Sequence, residues 1–365
     1  CDPPARLGSL VADPHVSGRL LATGRDGGAG VLAFGVPGAQ PSAPPSEGPA
    51  PAEEEAGPPP PDGLLAFTSG ADGQVRVWSM AEGKVLSSLP GSTKEVLALA
   101  LSPDESLIAV GGADRAVMLY SGNDGTRLDN GLDAATTGST VNAVVFSPDS
   151  KRLYAGLQQS WSIVELDVAS GETRSFDEHT AGVTCLVALA DGKRLVSGSR
   201  DHTIRCWDLE SGATLWKADT GAEVLCLAVS ADGARLYSGG RGASIRAYDL
   251  ETGKELGESE VQRSYVSGLA TTADGARVYT AGDRGVVAVD ATTLAPVSEP
   301  LMGPTKAIFS VAVSADGSWI AAGDADNGLW LWRTDEAKPW WFNTAAHVGP
   351  VHAVVLTPDV AGDED

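Results

Sequence analysis

Five histidines, four cysteines and 48 acidic side chains are the groups in this 365-residue chain that could do chemistry. Their spacing assigns them little of it. His15, His179, His202, His347 and His352 are scattered, and the chain has no HExxH, CxxC, GxSxG or Walker loop. Residues 24 to 30, "GRDGGAG", read as a turn between strands rather than a phosphate cradle leading into a helix. "DADNG" (324 to 328) opens like a calcium loop but lacks the distal Glu, so it reads as a β-turn. The expectation is no catalytic residue, no metal site and no cofactor.

The carboxylates have an order of a different kind. An Asp follows Pro or Ala at Asp62, Asp104, Asp149, Asp191, Asp232, Asp274, Asp316 and Asp359, with successive differences of 42, 45, 42, 41, 42, 42 and 43. One supersecondary unit is therefore copied along almost the whole chain. Each copy reads as four short strands. Strand a is an alternating apolar run such as "EVLALALS" (95 to 102) or "IFSVAVS" (308 to 314). Strand b ends in small residues, as in "RLVSGS" (194 to 199). Strand c is typified by "IRCW" (204 to 207), and strand d is shorter and more polar. No stretch carries helical periodicity, so the class is all-β.

Four-stranded antiparallel sheets that cannot bury both faces alone are stable when stacked radially around a channel, which makes a β-propeller. At "SGSRDHTIRCWDL" (197 to 209) the repeat resembles the WD (Trp-Asp) repeat β-propeller family, with the pair at Trp207 and Asp208. The resemblance implies a buried structural tetrad, mapped by position onto His179, Ser197, Asp201 and Trp207. A second set is split between the chain ends: Thr68, Asp72 and Trp78 near the start, His347 near the finish.

The early copy has no strand a of its own, and the C-terminus supplies a strand a with no b, c or d after it. Residues 350 to 357 are therefore expected to pair with 64 to 69 and close the ring, removing two exposed edges. Seven blades result, with c anchors at Trp78, Tyr120, Leu166, Trp207, Tyr248, Val289 and Trp332. An eighth stays open, because "LGSLVADP" (7 to 14), "GRLLATG" (18 to 24) and "GVLAF" (30 to 34) read as a further a, b and c. The domain reading is a lead with an extra β element or additional blade (1–35), a Pro/Glu-rich disordered loop (36–62), the propeller (63–359) and an acidic tail (360–365).

A formal charge of −22 and a pI near 4.5 argue against nucleic acid and anionic lipid as partners. No apolar run is long enough to span a membrane. Cys185, Cys206 and Cys226 read as buried free thiols. Cys1 followed by a polar lead resembles a mature bacterial lipoprotein, which implies lipid attachment at Cys1 and a lipid-anchored or periplasmic place in the cell envelope; without it, the cytoplasm is expected.

Partner contacts are sought among exposed cations and large rings. Arg200, Arg241 and Arg284 recur in turns between strands b and c, a basic spot on an acidic body suited to an acidic peptide or carboxylate. Trp161 sits in an irregular turn, and "KPWWFN" (338 to 343) places Trp340 and Trp341 on an outer strand, with core packing as the competing reading. The resemblance implies a non-enzymatic protein interaction scaffold that binds a peptide or protein across a channel mouth. The alternative is an exported quinoprotein-like propeller with a ligand or cofactor in the channel, suggested by the degenerate copy at 152 to 176.

Overall fold

A computed structural model describes residues 32–33, 59–61, 63–89 and 92–357. Cys1, His15, most of the N-terminal lead, the Pro/Glu-rich run up to residue 58 and the acidic tail lie outside the described residues. Among the described residues seven sheets stand in sequence around the ring, numbered blades 1 to 7 by their third strands Val75–Ser79, Val117–Ser121, Ile163–Asp167, Thr203–Asp208, Gly242–Asp249, Gly285–Asp290 and Leu329–Arg333. Blade 2, for example, comprises Val96–Leu101, Leu107–Gly112, Val117–Ser121 and Arg127–Leu132. Among the described residues the one helix is the four-residue turn Ala134–Thr137.

Blade 1 is assembled from both ends of the chain. Val351–Leu356 pairs antiparallel with Leu65–Gly70, in a register running from Ala66 opposite Leu356 to Gly70 opposite Val351. Val75–Ser79 and Lys84–Leu89 complete it. Leu32–Ala33 adds a short parallel strand outside Lys84–Leu89, opposite Ser87 and Ser88. The closure expected for residues 350 to 357 is present within one residue.

Blade 6 departs from four strands: Val266–Thr271, Arg277–Gly282 and Gly285–Asp290 are followed by no strand d. Pro296, Pro300 and Pro304 fall in that place. Proline has no N–H to give a ladder. Isolated bonds from Val297 N to Ala288 O (3.0 Å) and Leu301 N to Val286 O (2.9 Å) tie the segment down instead.

The recurrent Asp is a turn residue. In blade 2 the Asp104 carboxylate accepts the Ser102 hydroxyl at 2.6 Å and the Ser106 N–H at 3.1 Å, and Ser102 Oγ accepts the Leu107 N–H. Ser147 with Asp149, Ser230 with Asp232, Thr272 with Asp274 and Ser314 with Asp316 repeat that first bond. Each carboxylate so used is occupied in folding the a to b turn.

Blades touch through small residues near the end of strand b. A Cβ added at Gly111, Gly156, Gly198, Gly239 or Gly323 would come within 2.4 to 2.8 Å of the first Val of the next blade's strand a, namely Val141, Val183, Val224, Val266 and Val351. That approach explains the Gly at the end of b and makes each apolar cluster a joint between blades.

Candidate functional site

Strand a runs away from one face of the ring, b returns to it, c leaves and d returns. The b to c turns and the d to a connections therefore share one mouth, and the tetrads lie just beneath it. In blade 4, Trp207 Nε1–H donates to Ser197 Oγ at 2.8 Å. The Ser197 hydroxyl is 2.7 Å from His179 Nε2, and His179 Nδ1 is 2.7 Å from Asp201 Oδ2. Blade 1 repeats the chain across the closure: Trp78 to Thr68 at 2.8 Å, Thr68 to His347 at 2.8 Å and His347 to Asp72 at 2.9 Å. In both, hydrogen bonds link indole, hydroxyl, imidazole and carboxylate in that order under a buried Trp, and in blade 1 Arg76 Nη1 also lies 2.5 Å from His347 Nδ1.

Burial alone would raise the Asp72 carboxyl, but the His347 hydrogen bond and charge, the Val348 N–H and the Arg76 guanidinium outweigh it and hold it well below the usual carboxylate range. At Asp201 burial is likewise overcome, by His179, the Thr203 hydroxyl and the Thr180 N–H. Burial also lowers His347, with Arg76 adding to it and Asp72 opposing. The unfolded chain takes up a proton on His347 near its ordinary 6.5 and the folded chain resists it. Stability should thus fall as pH drops through about 6.5, and again below about 4, where the unfolded carboxylates protonate while the folded ones do not. Urea midpoints at pH 8, 5.5 and 3.5 read this directly, and a midpoint independent of pH would count against it.

The other copies keep the frame with different residues. Counting four back from the first Val or Ile of strand a locates the imidazole position, which holds Ser92, Thr137, Thr220, Gln262 and Pro304 outside the two tetrads. Gln262 stands in for histidine in blade 6, with its Nε2 3.1 Å from Thr280 Oγ1 and its Oε1 accepting the Arg284 N–H. The sequence reading passed over it because only His was sought. In blade 7 Ala322 offers no hydroxyl, so Trp332 Nε1 donates to Met302 O at 2.9 Å. There the buried carboxylate is Asp324, which accepts the Trp330 indole N–H at 2.7 Å, while Asp326, placed by counting, is exposed.

Arg200, Arg241, Arg284 and Trp161 all fall in b to c turns, on four consecutive blades, and all are exposed. Arg241 meets Glu223 at 3.4 Å. Trp161 is 47% exposed with φ of 63°, a conformation that Gly or Asn adopts more cheaply than a bulky ring. Its turn is braced by Gln159 Oε1 accepting from Ser139 Oγ (2.8 Å) and the Thr140 N–H (2.7 Å).

Trp340 and Trp341 are elsewhere. Trp341 is 5% exposed and packs on Trp78 with ring centroids 5.8 Å apart, and Trp340 is half-buried edge-on to Trp319 at 5.6 Å. Blade 1 supplies the surface that covers Trp341, so this ring is core at the closing joint and not a rim contact. The three described cysteines are free, and burial pushes the Cys185 thiol up to about 12 and Cys206 to about 11. They are packing residues rather than nucleophiles. Among the described residues, no group of three or more His, Cys, Asp and Glu could hold a metal, and no helix is long and apolar enough to cross a membrane.

A closed ring of seven pleated sheets with two buried Trp, hydroxyl, His and Asp tetrads defines a repeat propeller. The profile described as "WD domain, G-beta repeat" matches residues 59–79, 83–121, 170–208 and 296–333, so four segments of this propeller are similar to WD repeats. Another profile, "Outer membrane protein assembly factor BamB", matches residues 200–297. The chain is similar to "Small ribosomal subunit protein RACK1y" of Oryza sativa subsp. japonica, 34% identical over 142 residues, 37% of this chain and 41% of that protein. It is 31% identical over 163 residues to "Small ribosomal subunit protein RACK1" of Neurospora crassa, covering 42% of this chain and 50% of that one. "Cross-pathway control WD-repeat protein 2" of Flammulina velutipes matches at 32% over 155 residues, 40% and 48% of the two chains. The matches span half or less of each relative's length.

Proposed function

We propose that this protein is a non-enzymatic interaction scaffold whose partner docks across the mouth formed by the b to c turns. The observation that carries this reading is the run of Trp161, Arg200, Arg241 and Arg284 on four consecutive turns of one face. Trp and Arg are the side chains most often responsible for binding energy at interfaces. The repeated carboxylates are consumed in turns and tetrads, which leaves little for catalysis and much for a rigid platform.

Charge favours a short acidic segment at this mouth. The body carries −22, but beyond about 8 Å that field is screened at physiological salt. Arg200, Arg241 and Arg284 offer short-range cations at the mouth, with Arg241 shared with Glu223, and the partner as a whole is neutral or basic away from the docked segment. Affinity capture from the source cells with wild type and with R200E/R241E/R284E tests the surface. At least about a tenfold loss of the captured partner is expected, and undiminished capture would rule this mouth out. Trp161→Asn gives a second reading. It should hold or raise stability by up to about 1 kcal/mol by relieving the left-handed backbone, while weakening capture. A loss of stability with capture intact would make Trp161 a packing residue.

A further inference from the structure

The C-terminal segment that closes blade 1 carries two of the four described histidines, His347 and His352. Neither is well placed to hold a charge. His347 is 2% exposed, and its ring lies so close to Gly70 that a Cβ there would come within 2.7 Å of Cγ and Nδ1. The imidazole has little room to turn. Its Nδ1 faces two groups at once, Asp72 Oδ1 at 2.9 Å and Arg76 Nη1 at 2.5 Å. A neutral ring matches one of them, by donating to the carboxylate or accepting from the guanidinium. An imidazolium carries a proton on both nitrogens, so its charge would lie against the buried Arg76 cation. Asp72 offsets that only in part, because the same carboxylate pairs with Arg76 at 2.8 Å.

His352 follows the first residue of the strand Val351–Leu356 and stacks on Phe309 of blade 7, with ring centroids 6.0 Å apart and 9° between the planes. Its Nε2 is buried with no hydrogen-bond partner. Burial disfavours its charged form more than Glu95 of blade 2 favours it, and His347 is the other titratable group beside it. Blade 4 is built differently. There His179 Nδ1 meets Asp201 Oδ2 at 2.7 Å and Thr203 Oγ1 at 3.4 Å, both able to accept. Arg205, which like Arg76 stands two residues before the Trp, turns away to Glu178 and Thr214. A proton on His179 therefore faces a carboxylate and no guanidinium.

We infer that the ring closure is acid-labile: as pH falls from 7.5 to 5, residues 347–356 detach from blade 1 more often, while the strands of blade 4 hold. Detached, both imidazoles take up protons near their ordinary 6.5; closed, they resist it. The closure is thus at full strength above that pH and loses strength below it. Each imidazole favours the detached state by up to about thirtyfold at pH 5, and the two together by up to about a thousandfold. Asp72 stays out of this window, since its ordinary value is 3.8.

Hydrogen exchange of the full chain, read by mass spectrometry at pH 7.5 and 5 and corrected for the intrinsic rate, tests this. Protection of Leu65–Gly70 and Val351–Leu356 should fall at least about tenfold at pH 5, with Val183–Ala188 and Arg194–Ser199 changing by less than about threefold. In H347Q/H352Q the closure should keep at pH 5 the protection it has at pH 7.5, and Gln262 in blade 6 shows that an amide fits the first position. Where that double variant does not fold, H352Q alone, whose Nε2 has no bond to lose, should show a fall at least about threefold smaller than wild type. Unchanged protection in blade 1, equal losses in blades 1 and 4, or a fall undiminished by these substitutions would overturn the inference.

Discussion

Ending the chain at Gly349 should leave a protein that no longer melts as one cooperative unit. The lost segment contributes Val351, Val354 and Leu356, which are 0%, 7% and 9% exposed. Burying each stabilises the fold by roughly 1.5–3 kcal/mol. The ladder to Leu65–Gly70 is lost as well, together with the Val351 contact against Gly323 of blade 7. The combined loss, on the order of 5–9 kcal/mol, matches the whole stability of an ordinary domain, about 5–15 kcal/mol. The bare edge of Leu65–Gly70 should then pair between molecules. Circular dichroism melts and gel filtration read both effects. A monomer melting within about 3 °C of the full chain would show that the ring does not depend on its clasp.

Trp207→Ala should be the most damaging single change in blade 4, at about 3–5 kcal/mol. The indole is fully buried, touches Phe176 edge-on at 5.7 Å and faces the His179 ring at 6.0 Å. Trp207→Phe separates packing from bonding. It keeps an aromatic ring but leaves Ser197 without the indole N–H, and should cost about 1–2 kcal/mol. Tyr248→Phe in blade 5 is the internal control. Its hydroxyl is buried with no partner to lose, so the change should hold or raise stability, by up to about 1 kcal/mol. Equal losses for Trp207→Phe and Tyr248→Phe in urea unfolding would mean that the tetrad bond adds nothing to stability.

The repeat made the fold legible. A near-constant 42-residue spacing of the turn Asp fixes where each strand a ends and b begins, and the Ser or Thr two residues earlier closes the same turn in the structure. Both complete tetrads follow from counting, because strands b and c are antiparallel with short turns and local register allows little freedom. Trp341 was harder to read. Strand periodicity gives the side to which a ring points, but not that blade 1 would lie against it. Gln262 was missed for a related reason, since an amide can take the place of an imidazole with no trace in the motif.

By itself, the order of residues determined that like units would repeat, seven or eight of them, that each would be a small antiparallel sheet, and that the last strand would belong to the early unit that lacks its own strand a. Those properties are periodic or local. Tertiary structure alone decided which large rings are buried between blades and which arginines share a mouth. Such facts depend on the distance between residues some forty positions apart in neighbouring blades, and no pattern within one repeat encodes that distance.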